Sequence, residues 1–141
     1  MPFTPRDEDR LIGVHPRAIA QLRRVFDIMA TAHAPMFVVQ GVRTLAEQQA
    51  LYAHGRNTKG PKVTNCDGLT KKSNHQPHDD GWGYAIDCAF LADLPFDDQH
   101  PWDLFGTVAK DNGFRWGGDW LTFPDRPHLE LRTVPEGTLV T

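Results

Sequence analysis

Residues 83–90 read Gly83-Tyr84-Ala85-Ile86-Asp87-Cys88-Ala89-Phe90. Tyr84, Ile86, Cys88 and Phe90 alternate with Ala85, Asp87 and Ala89, which is the two-residue period of a β-strand. One face of such a strand packs inward. The other presents a carboxylate between two small side chains, which leaves room around Asp87. Outward from this stretch, His128-Leu129-Glu130-Leu131-Arg132 alternates in the same way, with His128, Glu130 and Arg132 set against Leu129 and Leu131. Phe114-Arg115-Trp116 reads as a short strand before Gly117-Gly118. Met36-Phe37-Val38-Val39, β-branched and aromatic, reads as a buried one.

Helical patterns separate these segments. His15-Pro16 opens the first, with proline suited to a first turn. Ile19, Leu22, Phe26 and Met29 then recur at three- and four-residue spacing, and Pro35 marks the end of the region. Thr44 with Glu47 fits a capping box and Gly55 is a helix stop, enclosing Leu45, Ala46, Ala50, Leu51 and Tyr52. Pro101 to Asn112 reads as a further long helix, with Leu104, Phe105 and Val108 inward and Gly113 after its end. Residues 1–14 read as a lead-in. Residues 56–82 read as a long loop, and long loops inside compact domains are often functional. This order predicts an α+β fold, a small antiparallel sheet with helices packed against it, in a single domain over 1–141.

The 141 residues carry 15 Lys plus Arg against 18 Asp plus Glu, a net charge of −3. No basic field points to nucleic acid or to anionic membranes. Affinity for an anionic polymer must come from a shaped cleft. Two cysteines, Cys66 and Cys88, are too few for a disulfide scaffold; they read as free thiols, with one bridge between them as the alternative. No apolar run approaches the ~20 residues of a membrane span. The N-terminal Met1-Pro2-Phe3-Thr4-Pro5-Arg6-Asp7-Glu8 lacks the apolar segment of a secretory signal.

His75, Asp87 and His128 supply two imidazoles and a carboxylate, the inventory of a catalytic zinc site with three protein ligands and one open position. No short metal signature such as His-Glu-x-x-His occurs, so spacing alone leaves open that these residues lie near one another in sequence by chance. His78, Asp79 and Asp80 in the same loop compete as ligands or form a solvated segment. His15, His33, His54 and His100 lack any metal-like partner pattern. Strand alternation turns Cys88 away from Asp87, into the core. Asp125, three residues before His128, is either a general base or a turn aspartate within Pro124-Asp125-Arg126-Pro127. Arg43 is either an oxyanion or substrate-carboxylate partner or one half of a structural ion pair. Trp82, Trp116 and Trp120 either line a peptide cleft or pack beside the glycines.

Taken together, three motifs in order resemble the zinc D-alanyl-D-alanine carboxypeptidase and L-alanyl-D-glutamate endopeptidase family. They are Val39-Gln40-Gly41-Val42-Arg43-Thr44 with Glu47-Gln48, Leu51-Tyr52 and Gly55; Ser73-x-His75 with Gly83-x-Ala85-x-Asp87; and Asp125-x-x-His128 with Leu129-Glu130-Leu131. Trp116-Gly117-Gly118-Asp119-Trp120 is similar to the family's segment before the last motif. The resemblance spans roughly residues 36–131. It implies zinc held by His75, Asp87 and His128, catalysis by Asp125 and Arg43, and substrate contacts from Arg43, Ser73 and Trp116. The family usually places its first histidine and aspartate seven residues apart. Here twelve separate His75 from Asp87, so five residues look inserted within 76–82, and His78 stands as the rival to His75. The closing acid is Asp, where carboxypeptidase-like members usually carry Glu, which favours the endopeptidase over a D,D-carboxypeptidase or dipeptidase. A non-catalytic zinc-stabilised wall-binding module is the reading from another class, and Asp125 and Arg43 argue against it. The implied partner is the peptidoglycan stem peptide, with no nucleic acid, no membrane insertion and a monomeric state. The implied setting is a phage endolysin made in the host cytoplasm without a signal peptide and released with the help of a holin.

Overall fold

The computed structural model describes residues 3–132. Its sheet has four antiparallel strands: β1 (Met36–Gln40), β2 (Ala85–Phe90), β3 (Phe114–Trp116) and β4 (His128–Leu131), in the order β1-β2-β4-β3. Four helices accompany them: α1 (Pro5–Arg10), α2 (Pro16–Thr31), α3 (Leu45–Ala53) and α4 (Trp102–Asp111).

The two-residue period divides the sheet into two functions. Ile86 pairs with Leu129, Val38 with Cys88, and Phe114 with Leu131. These side chains share one face and join Leu22, Phe26 and Met29 of α2 and Phe105 of α4 in a single apolar core. Asp87 pairs directly with His128, and Ala85 with Glu130, on the opposite face. Every polar residue of the central strands therefore lies on the side away from the core. A one-residue slip of β4 would send His128 inward and expose its leucines, so burial of Leu129 and Leu131 fixes the register of the site.

β1 is an edge strand with one extra residue, Val39, between the Val38–Cys88 and Gln40–Asp87 pairs. Such a bulge turns the strand and re-aims the side chains after it. Here it brings Gln40 beside the site. The outer edge of β1 is covered by α1, which forms where a lead-in is expected from sequence. Six residues are too few to be stable alone, and tertiary bonds hold them. Asp7, only 1% exposed, accepts from the Val38 amide (2.9 Å) and from the Thr4 amide (3.0 Å), and Arg10 Nη1 donates to the Val38 carbonyl (2.8 Å). Thr4 in turn accepts from the Asp7 amide, completing a capping box.

The helix at α4 corrects one expectation. Leu104 faces solvent, and the inward positions belong to Trp102, Phe105, Val108 and Ala109. Trp102 sits at the first turn, beside Pro101, and is 2% exposed. Its indole Nε1 donates to the Asp97 carbonyl (2.9 Å), which satisfies the ring's polar edge inside the core.

Gly106 of α4 lies against the ring of Trp116. A Cβ at this position would stand 2.3 Å from Trp116 Cε3. In an open helix interior Gly→Ala stabilises by about 1 kcal/mol. Gly106→Ala is expected to destabilise instead, by about 1–3 kcal/mol, because the ring must move in a packed core. Urea unfolding decides the sign, and an unchanged or higher midpoint would contradict the packing described.

Candidate functional site

Three elements deliver the polar cluster. β2 contributes Asp87, β4 contributes His128, and the loop after α3 contributes His75. His75 Nε2 lies 3.1 Å from His128 Nδ1 and 3.2 Å from Asp87 Oδ1, and His128 Nδ1 lies 3.2 Å from the same oxygen. The other atoms of both imidazoles are committed. His75 Nδ1 donates to the Gly41 carbonyl (2.8 Å), so the neutral ring leaves its Nε2 lone pair facing the cluster. His128 Nε2 donates to Glu130 Oε1 (2.7 Å), which leaves Nδ1 in the same role. Glu130 is 2% exposed, and its second oxygen accepts from Asn74 Nδ2 (2.8 Å).

Three lone-pair atoms thus point at one place and form a nearly equilateral triangle. They repel one another unless a positive charge lies among them. In a tetrahedral zinc site with bonds of about 2.0–2.1 Å, neighbouring ligand atoms are about 3.3 Å apart. The donor set and its spacing therefore fit a small divalent cation. Among the described residues this is the one group of His, Cys, Asp or Glu side chains with such convergence.

Without a metal, the cluster takes its positive charge from a proton. Burial works to lower the pKa of His128, but the bonds to Asp87 and then to Glu130 outweigh it and raise it to about 9. Burial likewise works against the Asp87 carboxylate, yet its neighbours His75 and His128, both within hydrogen-bond distance, hold its pKa well below the ordinary value.

The cluster opens onto a cleft of about 490 Å³. Arg43, Ser73, Trp120 and Asp125 all line it. Arg43 is clamped: Nε (3.3 Å) and Nη2 (2.9 Å) donate to Gln40 Oε1, Nη1 donates to Gln48 Oε1 (2.7 Å), and Nη2 lies 3.8 Å from Asp87 Oδ2. Burial pulls its pKa down, with Asp87 the first of the charges opposing that. Asp125 is partly buried; burial first and then the Asp87 charge raise its pKa. Its backbone is pinned beside the site, since its amide donates to the Gly117 carbonyl (2.9 Å) and its carbonyl accepts from the His128 amide (3.1 Å). A Cβ at Gly117 would stand 2.3 Å from the Asp125 carbonyl oxygen, so only glycine permits that approach. Ser73 Oγ accepts from the His75 amide (3.2 Å), shaping the turn that carries the imidazole.

One sequence reading needs correction, and one alternative falls away. Trp116 does not line the cleft. Its ring is buried in the core between Gly106 and Gly118, and Nε1 donates to the Arg126 carbonyl (2.7 Å). Trp120 stands in the cleft instead, its ring centroid 4.7 Å from that of His128. His78 is not part of the cluster: it stacks on Tyr84 at 3.7 Å. Asp80 accepts from the Tyr84 hydroxyl and from the Trp82 amide (2.9 Å), so it too is occupied elsewhere.

Residues 67–131 match the family described as D-alanyl-D-alanine carboxypeptidase. A curated relative, the peptidoglycan L-alanyl-D-glutamate endopeptidase CwlK of Bacillus subtilis (strain 168), is 35% identical over 105 residues, covering 67% of this chain and 59% of its own length. The chain is similar to this peptidase family across that stretch. It spans about three-fifths of the Bacillus member's length. An L-alanyl-D-glutamate peptidase of a Listeria phage is 50% identical over 34 residues, 24% of this chain and 12% of its own length. The crystal structure of the Serratia marcescens L-Ala D-Glu endopeptidase ChiX shares the fold, with a TM-score of 0.64, 24% identity, and coverage of 93% of this chain and 90% of that one. The fold is therefore shared over nearly the whole of both chains.

Glu130 and Asn74 are the site residues the sequence reading missed. Glu130 occurs in the closing motif, two residues after His128 and on the same strand face, and that spacing was the available signal. Its effect has a pH signature in the metal-free protein. The folded His128 pKa of about 9 lies above the free value of 6.5, so its contribution to stability is complete below about pH 6.5 and is lost as pH rises through about 9. Thermal melting of chelated protein is expected to weaken over that window, and Glu130→Gln to flatten the slope. A melting temperature independent of pH between 6.5 and 9 would contradict the arrangement.

Proposed function

We propose that this chain is a zinc-dependent peptidoglycan peptidase that hydrolyses the stem-peptide bond between L-alanine and D-glutamate. The observation that carries this reading is the convergence of His75 Nε2, His128 Nδ1 and Asp87 Oδ1 at a cleft that also holds Asp125 and Arg43. Two relatives named for cleavage at L-alanyl-D-glutamate support the choice of bond. Aspartate rather than glutamate at position 125 supports it over the D,D-carboxypeptidase.

His75, Asp87 and His128 would hold the ion, with Glu130 and the Gly41 carbonyl fixing the two rings. When bound, zinc supplies Lewis-acid polarisation of a carbonyl and makes water a better nucleophile at neutral pH. Asp125 is the general base. It takes a proton from the attacking water and returns it to the leaving amine, and its raised pKa suits both transfers. Arg43 keeps N–H groups on Nη1 and Nη2 beyond those given to Gln40 and Gln48. These stabilise the developing oxyanion, and the clamp prevents the guanidinium from reorganising as charge builds. Ser73 orients His75 and offers its hydroxyl at the cleft wall. Wall lysis by a phage, with holin-dependent release, is the biological setting we assign, supported by the Listeria phage relative.

Two substitutions separate binding of the ion from chemistry. Asp125→Ala is expected to keep stoichiometric zinc by elemental analysis and to lose wall cleavage by roughly 10²–10⁴-fold. His128→Ala is expected to lose the zinc itself. Near-normal cleavage by the first, or full zinc content in the second, would remove the role assigned.

Zinc uptake must also displace the proton from His128. At pH 7 that imidazole, with a pKa of about 9, is charged, so binding releases a proton. Apparent affinity is then expected to climb about tenfold per pH unit up to about pH 9. Calorimetry in buffers of differing ionisation enthalpy measures the proton count, and a count of zero would contradict the assignment.

A further inference from the structure

Charge is unevenly distributed along this chain. Residues 56–73 contain Arg56, Lys59, Lys62, Lys71 and Lys72 against a single carboxylate, Asp67, in a protein whose net charge is −3. Of these cations, Lys71 and Lys72 line the cleft that holds the candidate site. Both side chains are exposed, and among the described residues neither ammonium makes an ion pair or a hydrogen bond.

The segment carrying them is built. Asp67 accepts from the amides of Leu69 (2.9 Å), Thr70 (2.9 Å) and Lys71 (3.0 Å). Gln48, fully buried, donates to the Cys66 carbonyl (2.8 Å). Gln76, also buried, donates to the Gly68 carbonyl (3.1 Å) and accepts from the Ser73 amide (2.9 Å). Gln48 is the residue that clamps Arg43, so the lysine-bearing wall is tied to the site by one shared side chain.

The other cleft charges are spoken for. Arg43 is bound to two glutamines, faces Asp87, and has its remaining N–H groups assigned above to the oxyanion. Glu130 serves His128 and Asn74. Asp125 is negative and repels an anion from its side of the cleft. A substrate carboxylate in this cleft therefore meets uncommitted positive charge at Lys71 and Lys72.

We infer that Lys71 and Lys72 form a carboxylate subsite that selects stem peptides whose acidic residue keeps a free carboxylate beside the scissile bond. The inference rests on the peptidase reading above and deepens it. Glutamate carries two carboxyl groups. When one continues the chain, the other is a free anion unless it has been amidated. Two ammonium groups make charge-assisted bonds to that anion which a neutral carboxamide cannot match. Both lysines are solvated and flexible, so the discrimination is modest, about tenfold for the pair.

The test uses two synthetic stem peptides, one with the free carboxylate and one with the carboxamide at that position. The zinc-loaded full chain is expected to favour the carboxylate peptide by about tenfold in kcat/KM, and the K71Q/K72Q protein to bring the ratio within about twofold, mainly through KM. A second readout needs no turnover: NMR titration of the metal-free chain with the carboxylate peptide, where added salt and K71Q/K72Q each weaken binding. A wild-type ratio near one overturns the subsite, as does a K71Q/K72Q protein that keeps the wild-type ratio. So does a defect confined to sedimentation with walls bearing anionic polymer, which would assign the lysines to that polymer. Failure to cleave either peptide, with carboxylate-dependent binding intact, removes the peptidase reading and leaves the subsite standing.

Discussion

Two imidazole lone pairs and a carboxylate oxygen held within about 3.2 Å of one another are unstable without a positive charge between them. The fold accepts that strain because each component is fixed for another reason. Asp87 and His128 face each other as a direct antiparallel pair whose register is set by leucines on the opposite face. His75 is delivered by a turn whose backbone bonds to both sides of the site: its carbonyl accepts from the Arg43 amide (2.8 Å), and the Asn74 carbonyl accepts from the amides of Tyr84 (2.8 Å) and Ala85 (3.1 Å). The protein thus spends core packing to assemble a cation-shaped gap, and a proton or a metal ion relieves it.

The polar network around that gap leaves little unsatisfied. Glu130 is buried, a costly placement unless both oxygens are bonded, and His128 and Asn74 bond them. Arg43 is half of a comparable arrangement with Gln40 and Gln48. Among the described residues the one buried side-chain polar atom without a partner is Gln21 Oε1, on α2 and away from this cluster. A fully bonded shell holds the three converging atoms in place, in the geometry a small cation would need.

Much of this was legible in the sequence where one period governs one element. The alternation at 84–90 and 128–132 locates both central strands, and the same parity puts Asp87 and His128 away from the core. The capping box Thr44–Glu47 is intact, with Glu47 accepting from the Thr44 amide (2.9 Å) and Thr44 from the Glu47 amide (3.1 Å). What escaped depends on contacts between distant residues. α1 owes its existence to Val38, some thirty residues on, though Thr4, Pro5 and Asp7 carried a cap signature. Trp116 and Trp120 are indistinguishable by composition. Only the glycines flanking the first ring, one of them on α4, decide that Trp116 is core and Trp120 is cleft. Glu130 looked like ordinary strand alternation because its role exists only once Asn74 and His128 are brought together.

The longer spacing between His75 and Asp87 shows which distances the site can ignore. Residues 76–82 leave and return through one base, closed by the Tyr84 amide on the Asn74 carbonyl. Within the excursion His78 and Trp82 bond through their backbones (2.8 Å), His78 stacks on Tyr84, and Asp80 binds the Tyr84 hydroxyl. The extra residues are thus folded onto their own scaffold, outside the cluster. Chain length between His75 and Asp87 matters only through the positions of its two ends, and both ends here are tied to β2. That is why His75 keeps its place beside Asp87 across a twelve-residue separation, and why His78, nearer in sequence to the aspartate, has no route to it.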